Sequence, residues 1–433
     1  MPSSATWIST LIALGLGAGF WWQLCRRAQS EVGGKPSLFP VLLMLGVICR
    51  LAYLFLTPVF YAPDEQAHFN YIKFIAERGE FPILITKLGD AGNEWEYFQP
   101  PLYYLLLAPF YAFAKFTGFN LTATVLLLRG FSFLLWLLNV WAGVTLLNRL
   151  QITDRLVRAL SLALLCLLPT YTFSSSAINN DNLLVTLGGG LLCLLARRDY
   201  GWKNAALTGV LLSLALLTKR SAVVFIPIIV ALAGLEFWWQ RIHWRRAVGY
   251  LSLGLGLAFL LYLPWITRCW RIYHTLTPEL LSGDMKTWPS FIHGLASSVH
   301  HLVKTFWAVS GIINDVSYPF PALGMLFLAV CLGAKLLSFR KPAADVLNSK
   351  ANQPLLLALW LGVAVNVLLV LRFGYLFGMG QGRHLFPLLL PIGLALGSWA
   401  RSLSARNWEV HLTGGWIVYA LTFAAYSLTK FPR

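Results

Sequence analysis

The chain has 433 residues, 58% of them hydrophobic and 12% charged, whereas a soluble domain carries about 25% charged residues. That balance excludes a soluble architecture, and no stretch is polar enough to form a soluble domain of its own. The net charge of +17 would suggest nucleic acid in a soluble protein. Here it reads as basic residues flanking membrane spans, with no nucleic-acid partner.

About 20 apolar residues are needed to cross the hydrocarbon core, and that rule predicts an all-α, polytopic transmembrane bundle of about 12 spans. They fall near 6–25, 36–60, 121–147, 156–178, 183–196, 204–218, 221–238, 247–267, 322–339, 354–372, 385–400 and 411–428. The run at 6–25 lacks a basic leader, and Arg26 and Arg27 follow it. That order is wrong for a cleaved signal peptide, so the run is read as a retained span. Alternate short loops carry clusters such as Arg149, Arg155 and Arg158, or Arg241, Arg245 and Arg246. These loops are assigned to the cytoplasm by the positive-inside rule. The expected organisation is one transmembrane domain over 1–433, with an extra N-terminal span and basic loop at 6–35. A core at 36–400 carries long outer loops at 61–120 and 268–321, and 401–433 holds the last span and a short tail. The run from Pro100-Pro101 through Phe116 is barely long enough to cross, and crossing would turn the basic loops outward. It is predicted as an interfacial helix in the first outer loop.

The cysteines, at 25, 49, 166, 193, 269 and 331, form no CxxC pair. No disulfide framework and no thiolate metal site is expected. Arg50 sits near the middle of its span, where a bare charge is costly, and the sequence offers no partner for it.

Five segments carry chemistry. In the first, Pro63-Asp64-Glu65 is followed by His68. Pro63 suits the first position of a helix, acids are favoured in a first turn, and His68 lies four residues after Asp64 on the same face. These groups could ligate a divalent cation or act as a general base, or simply cap the helix. The second is Glu94-Trp95-Glu96-Tyr97-Phe98-Gln99-Pro100-Pro101-Leu102-Tyr103-Tyr104, which alone reads as an interfacial aromatic anchor. The third is Asn179-Asn180-Asp181-Asn182, a tight outer turn in which Asp181 can cap the next helix. The fourth is Leu216-Leu217-Thr218-Lys219-Arg220-Ser221, with two cations on the side where the positive-inside rule does not place them; they read as partners of an anionic head group or phosphate-bearing ligand, or as snorkelling cations. The fifth is Gly380-Gln381-Gly382-Arg383-His384, with Arg372 nearby. Its glycines permit close backbone approach, and Arg383 suits bidentate phosphate contact. Cations facing a carboxylate pair are what displacement of a phosphate leaving group requires.

These segments, in this order, resemble the GT-C superfamily of polytopic glycosyltransferases, which includes the protein O-mannosyltransferases and the aminoarabinose transferases of lipid A. The resemblance runs from Leu38 to Ala400. Thr305-Phe306-Trp307-Ala308-Val309-Ser310-Gly311 also looks like uncharacterised bacterial relatives of the group. The resemblance implies an inverting transferase that moves a sugar from a polyprenyl-phosphate donor to a glycan, lipid or protein acceptor on the outer face of a bacterial inner membrane. It implies catalytic roles for Asp64 and Glu65, with Asp64 deprotonating or orienting the acceptor. The expected substrate-binding set is His68, Gln99, Tyr103, Asn180, Asp181, Lys219, Arg220, Arg372, Arg383 and His384. A divalent cation, if one is used, would sit on Asp64, Glu65 and His68. The chain departs from the family in its extra first span and in ending at Arg433 without the soluble outer domain that members often carry. A transporter or flippase of lipid-linked sugars, and a non-catalytic scaffold of the same fold, are the rival readings.

Overall fold

The computed structural model describes residues 38–84, 92–276, 278, 286–311, 319–337, 351–378, 380–401 and 408–432. The expected span at 6–25 and its basic loop lie outside these residues. Among the described residues the structure is helical and contains no strand.

Helix α1 (Phe39–Leu56) starts with a proline in its first turn. Met44, Ile48 and Phe55 point outward, while Leu42, Leu43 and Tyr53 point into the bundle. An apolar outer face is what contact with lipid demands. Helix α2 (Glu65–Arg78) and helix α3 (Leu102–Phe116) follow, joined through a 3₁₀ segment at Gly92–Phe98. Helix α3 is ~22 Å long at 1.5 Å per residue, short of a core of ~30 Å. It packs on α2 around its own aromatic cluster, in which Tyr71 stacks on Tyr104 at 3.7 Å.

Next come α4 (Leu121–Arg149), α5 (Arg155–Leu167) and α6 (Pro169–Ser174). The expected single span at 156–178 is broken at Leu168, whose backbone is extended before Pro169. A residue preceding proline is pushed out of the helical region, so the break is local chemistry. The bundle continues with α7 (Asp181–Leu195), α8 (Trp202–Thr218), a 3₁₀ turn at Arg220–Val224, α9 (Phe225–Trp238) and α10 (Trp244–Tyr273). Helices α8 and α10 approach closely where Gly209 faces the Gly254 carbonyl, a contact that any side chain at Gly209 would obstruct. The segment expected as the second long loop, 268–321, contributes α11 (Phe291–Trp307). The chain then runs through α12 (Phe320–Leu337), α13 (Gln353–Phe377), a 3₁₀ segment at Gly382–Leu388, α14 (Leu389–Arg401) and α15 (Trp408–Thr429).

Among the described residues, five helices are long and apolar enough to cross a membrane: α1, α4, the Arg220–Trp238 unit, α10 and α13. Shorter apolar helices lie at Leu102–Phe116, Asp181–Leu195, Trp202–Thr218 and Phe320–Gly333.

The mid-span charge at Arg50 finds its partners at the α5–α6 break. Pro169 has no N–H to give the Leu165 carbonyl four residues before it. Arg50 Nη2 (3.3 Å) and Trp136 Nε1 (3.0 Å) donate to that oxygen instead. Arg50 also donates to the Cys166 carbonyl (2.6 Å) and Ser175 Oγ (2.8 Å). Its guanidinium stacks 3.8 Å above the Trp136 ring. The charge therefore pins α1 to the broken helix.

Candidate active site

The site is built on a second arginine that closes a helix end opened by proline. Pro58 leaves the Leu54 carbonyl of α1 without its helical donor. Arg129, fully buried on α4, donates to the carbonyls of Leu54 (3.1 Å), Thr57 (2.7 Å) and Pro58 (2.9 Å). The same guanidinium holds Glu65 in two parallel bonds, Nε to Oε1 at 2.8 Å and Nη2 to Oε2 at 2.6 Å. Glu65 also accepts from the Phe60 and Ile178 amides, each at 3.1 Å. With its oxygens occupied and its side chain sealed from solvent, Glu65 fixes the start of α2 against α1, α4 and the 175–180 turn.

Asp64 stands one residue earlier, outside the helix. Pro63 does not open α2, which begins only at Glu65. Asp64 has φ +64°, in the left-handed region, and its side chain does not cap α2. Left-handed backbone is uncommon outside glycine, with Asp and Asn the most tolerant. The turn directs the carboxylate to Arg383, whose Nη2 donates to Asp64 Oδ2. Arg383 is delivered by Gly382, where a Cβ would overlap the Phe306 backbone of α11. The Gly382 amide donates to Thr305 Oγ1 at 2.7 Å, which locks this approach. Burial opposes the charge on Arg383, but Asp64 and Asp181 more than offset it and hold the guanidinium above its ordinary range.

Lys219 lies where α8 stops, in extended backbone. Its Nζ donates to Asp181 Oδ1 at 2.6 Å, from the end of α8 to the start of α7. Asn179 Oδ1 accepts from the Asp181 amide (2.8 Å), and the Asn179 amide donates to the Tyr103 hydroxyl (3.0 Å).

A buried polar chain runs beside these cations. The Asn180 amide group donates to the Tyr104 hydroxyl at 3.4 Å, and that hydroxyl lies 3.0 Å from His68 Nδ1. His68 Nε2 lies 3.7 Å from Glu96 Oε1. Burial pushes the His68 imidazole down to about 3. Burial, joined by the Asp64 charge, pushes the Glu96 carboxyl up to about 8, against the pull of Lys219 and Arg383. His384 is likewise pushed down to about 3 by burial, with Lys219 adding to it.

Asp64, Glu96, Gln99, Lys219, Arg220, Arg372, Arg383 and His384 all line one cavity of about 520 Å³. Its remaining wall is largely apolar and aromatic, with Tyr262, Trp265, Val370 and Phe373 among the contributors. Buried Glu96 Oε2, Gln381 Oε1 and Arg383 Nε, all from lining residues, have no hydrogen-bond partner. Of the expected set, His68, Tyr103, Asn180 and Asp181 stand behind this wall and support the residues that form it. Glu65 also lies off the wall, in its clamp with Arg129.

No family model matches the sequence, and no curated protein matches it. Solved structures do. An ArnT from Cupriavidus metallidurans, bound to undecaprenyl phosphate, matches with TM-score 0.53 and 14% identity over 87% of this chain and 62% of its own. The archaeal oligosaccharyltransferase AglB from Archaeoglobus fulgidus, in complex with an inhibitory peptide and a dolichol-phosphate, matches with TM-score 0.51 and 13% identity over 90% of this chain and 55% of its own. The chain has the GT-C fold. It thus spans under two thirds of the length of these two proteins. Together with its apolar helices, this makes it an integral membrane protein.

Within this GT-C fold, the suggested cation set does not converge. Asp64 turns to Arg383, Glu65 to Arg129, and His68 Nδ1 to Tyr104. Among the described residues, no group of three or more His, Cys, Asp or Glu side chains is placed to hold a metal ion. Three residues of the site escaped the sequence. Arg129 looks like one more residue of an apolar helix. Glu96 is hidden in an aromatic run, and Gln381 has no motif of its own. The only signals were an intramembrane charge for Arg129 and a carboxyl in the first outer loop for Glu96.

Proposed function

We propose that the chain is an inverting glycosyltransferase using a polyprenyl-phosphate-linked sugar. The observation that carries this reading is the composition of one cavity wall. The carboxyls Asp64 and Glu96 face the cations Lys219, Arg220, Arg372 and Arg383, beside an apolar wall. The cations suit a departing phosphate, whose charge grows in the transition state. The apolar side suits a prenyl chain, and the unpartnered Glu96, Gln381 and Arg383 atoms suit sugar hydroxyls. In the step, the acceptor oxygen bonds to the anomeric carbon on the face opposite the phosphate. The bond from that carbon to the phosphate oxygen breaks, and its electron pair leaves with the phosphate. Asp64, fixed by Arg383 and by its left-handed turn, orients the acceptor. Glu65 holds that turn in place through Arg129. The basic loops support an outward-facing site in a bacterial inner membrane, with an envelope glycan, lipid or protein as acceptor.

A transporter would need charges lining a path through the membrane, and Arg50 is a mid-span charge that could serve. Arg50 is instead consumed by backbone carbonyls and Trp136. The test is transfer from undecaprenyl-phosphate-linked hexoses by the purified chain and by Asp64→Asn. The variant is expected to lose at least ~100-fold in rate. Full activity in it removes the role given to Asp64.

A further inference from the structure

Glu65, Asp64 and Asp181 each have a cation within ion-pair distance, at Arg129, Arg383 and Lys219 respectively. Glu96 faces a neutral ring instead. Asn180 donates to the Tyr104 oxygen, so the Tyr104 O–H is free to donate to His68 Nδ1. That assigns the imidazole hydrogen to Nε2, which points to Glu96 Oε1. Glu96 Oε2 is left without a partner, on a residue that lines the cavity with Asp64. The 3₁₀ segment carrying Glu96 is tied to α2 on both sides. Asn70 Nδ2 donates to the Asn93 carbonyl (3.1 Å), and the Tyr71 hydroxyl donates to the Gln99 carbonyl (3.0 Å).

We infer that Glu96 is the proton acceptor of the transfer step, and that the nucleophile is therefore a neutral hydroxyl. This rests on the glycosyl-transfer reading above and deepens it. The acceptor O–H bond breaks and its proton goes to Glu96 Oε2. The oxygen pair bonds to the anomeric carbon, and the phosphate departs with the electrons of the broken C–O bond. Asp64 Oδ2 is occupied by Arg383, whereas Glu96 Oε2 has no partner. An acid facing a neutral imidazole keeps its basicity, and catalysis is most efficient when the group titrates near working pH. The groups that set this balance are Asp64 and His68 from the start of α2, Tyr104 from α3, Asp181 from α7, and Lys219 and Arg383. Burial and the two aspartates raise the proton affinity of Glu96, and the two cations lower it.

The test uses Glu96→Gln, which keeps shape and removes the titration. The probes are undecaprenyl-phosphate-linked hexoses, with release of undecaprenyl phosphate as the readout, so water can serve as the nucleophile. Wild-type kcat is expected to rise with pH through a midpoint near 8 and level off above it, since Glu96 must be ionised to accept the proton. The variant is expected to fall at least ~100-fold in kcat with little change in KM, and to lose the rise. Infrared difference spectra give a second readout that needs no turnover. A protonated-carboxyl band should vanish as pH rises through 8 in wild type, vanish at lower pH in Asp64→Asn because a charge that raises Glu96 is gone, and be absent in Glu96→Gln. An active wild type with an equally active, equally pH-dependent Glu96→Gln overturns the inference alone. So does a band that survives the substitution. A wild type that transfers nothing from any probe removes the glycosyl-transfer reading itself.

Discussion

Replacing Arg129 with methionine tests how the site is held. The substitution removes two charge-assisted bonds to Glu65 and three donations to the carbonyls of Leu54, Thr57 and Pro58. Glu65 keeps only the Phe60 and Ile178 amides. Each lost bond to a charged group is worth about 1.5–3 kcal/mol. Removing one partner of a buried pair costs about 3–5 kcal/mol, because the other charge is stranded. The expected loss is therefore about 3–5 kcal/mol of unfolding free energy, measured by denaturant titration in detergent micelles with tryptophan fluorescence. The double variant Arg129→Met with Glu65→Leu removes the stranded charge and should regain more than half of that loss. Transfer activity should stay low in both, because the turn at Asp64 has lost its anchor. A single variant within about 1 kcal/mol of wild type would refute the clamp, since the bond strengths invoked would then be absent.

The pH dependence of stability reports on Glu96. Its folded value is about 8, against about 4.3 in an unfolded chain. Between these the folded chain holds the extra proton, so this contribution is present at low pH and is lost as pH rises towards 8. His68 and His384 are depressed to about 3. Their contribution is present above an unfolded value of about 6.5 and is lost as pH falls. Between roughly 6.5 and 8 Glu96 is therefore the one of the three that changes stability, and Glu96→Gln should flatten the melting-temperature slope there. Lys219→Met strands Asp181 and removes one of the cations proposed above to hold the phosphate. Undecaprenyl phosphate binding should weaken about tenfold or more, as read by scintillation proximity. Gly382→Ala forces α11 away from the 3₁₀ turn and should lower thermal stability by about 1–3 kcal/mol while displacing Arg383. Arg50→Lys keeps the charge but loses the planar fork over Trp136, and should cost about 1–3 kcal/mol in the same unfolding assay.

Much of the architecture was legible because bilayer chemistry writes itself into composition. Long apolar runs announce spans, and the charges of Pro63-Asp64-Glu65, Lys219 and Gly382-Arg383 stand out because charges at span ends are costly without a use; Asp64, Lys219 and Arg383 do line one cavity. The Leu102–Phe116 helix is shorter than the hydrocarbon core. The break at Leu168 was also written in the chain, as Pro169, yet it is hidden within an apolar run.

The partners of the charges were decided by the tertiary structure. Asp64 and Glu65 are neighbours in the chain, and sequence spacing suggests a shared task. The left-handed turn at Asp64 sends one carboxylate to Arg383 and leaves the other for Arg129, 64 positions away. Arg50 and Arg129 each reach a carbonyl, of Leu165 and of Leu54, that a proline four residues on strips of its helical donor. Glu96 became distinctive only because folding placed it beside a neutral His68 and away from a paired cation. Periodicity and composition determine which residues enter the membrane, since that is a property of each segment. Which acid remains free to take a proton depends on what every other segment brings within a few ångströms, and only the fold decides that.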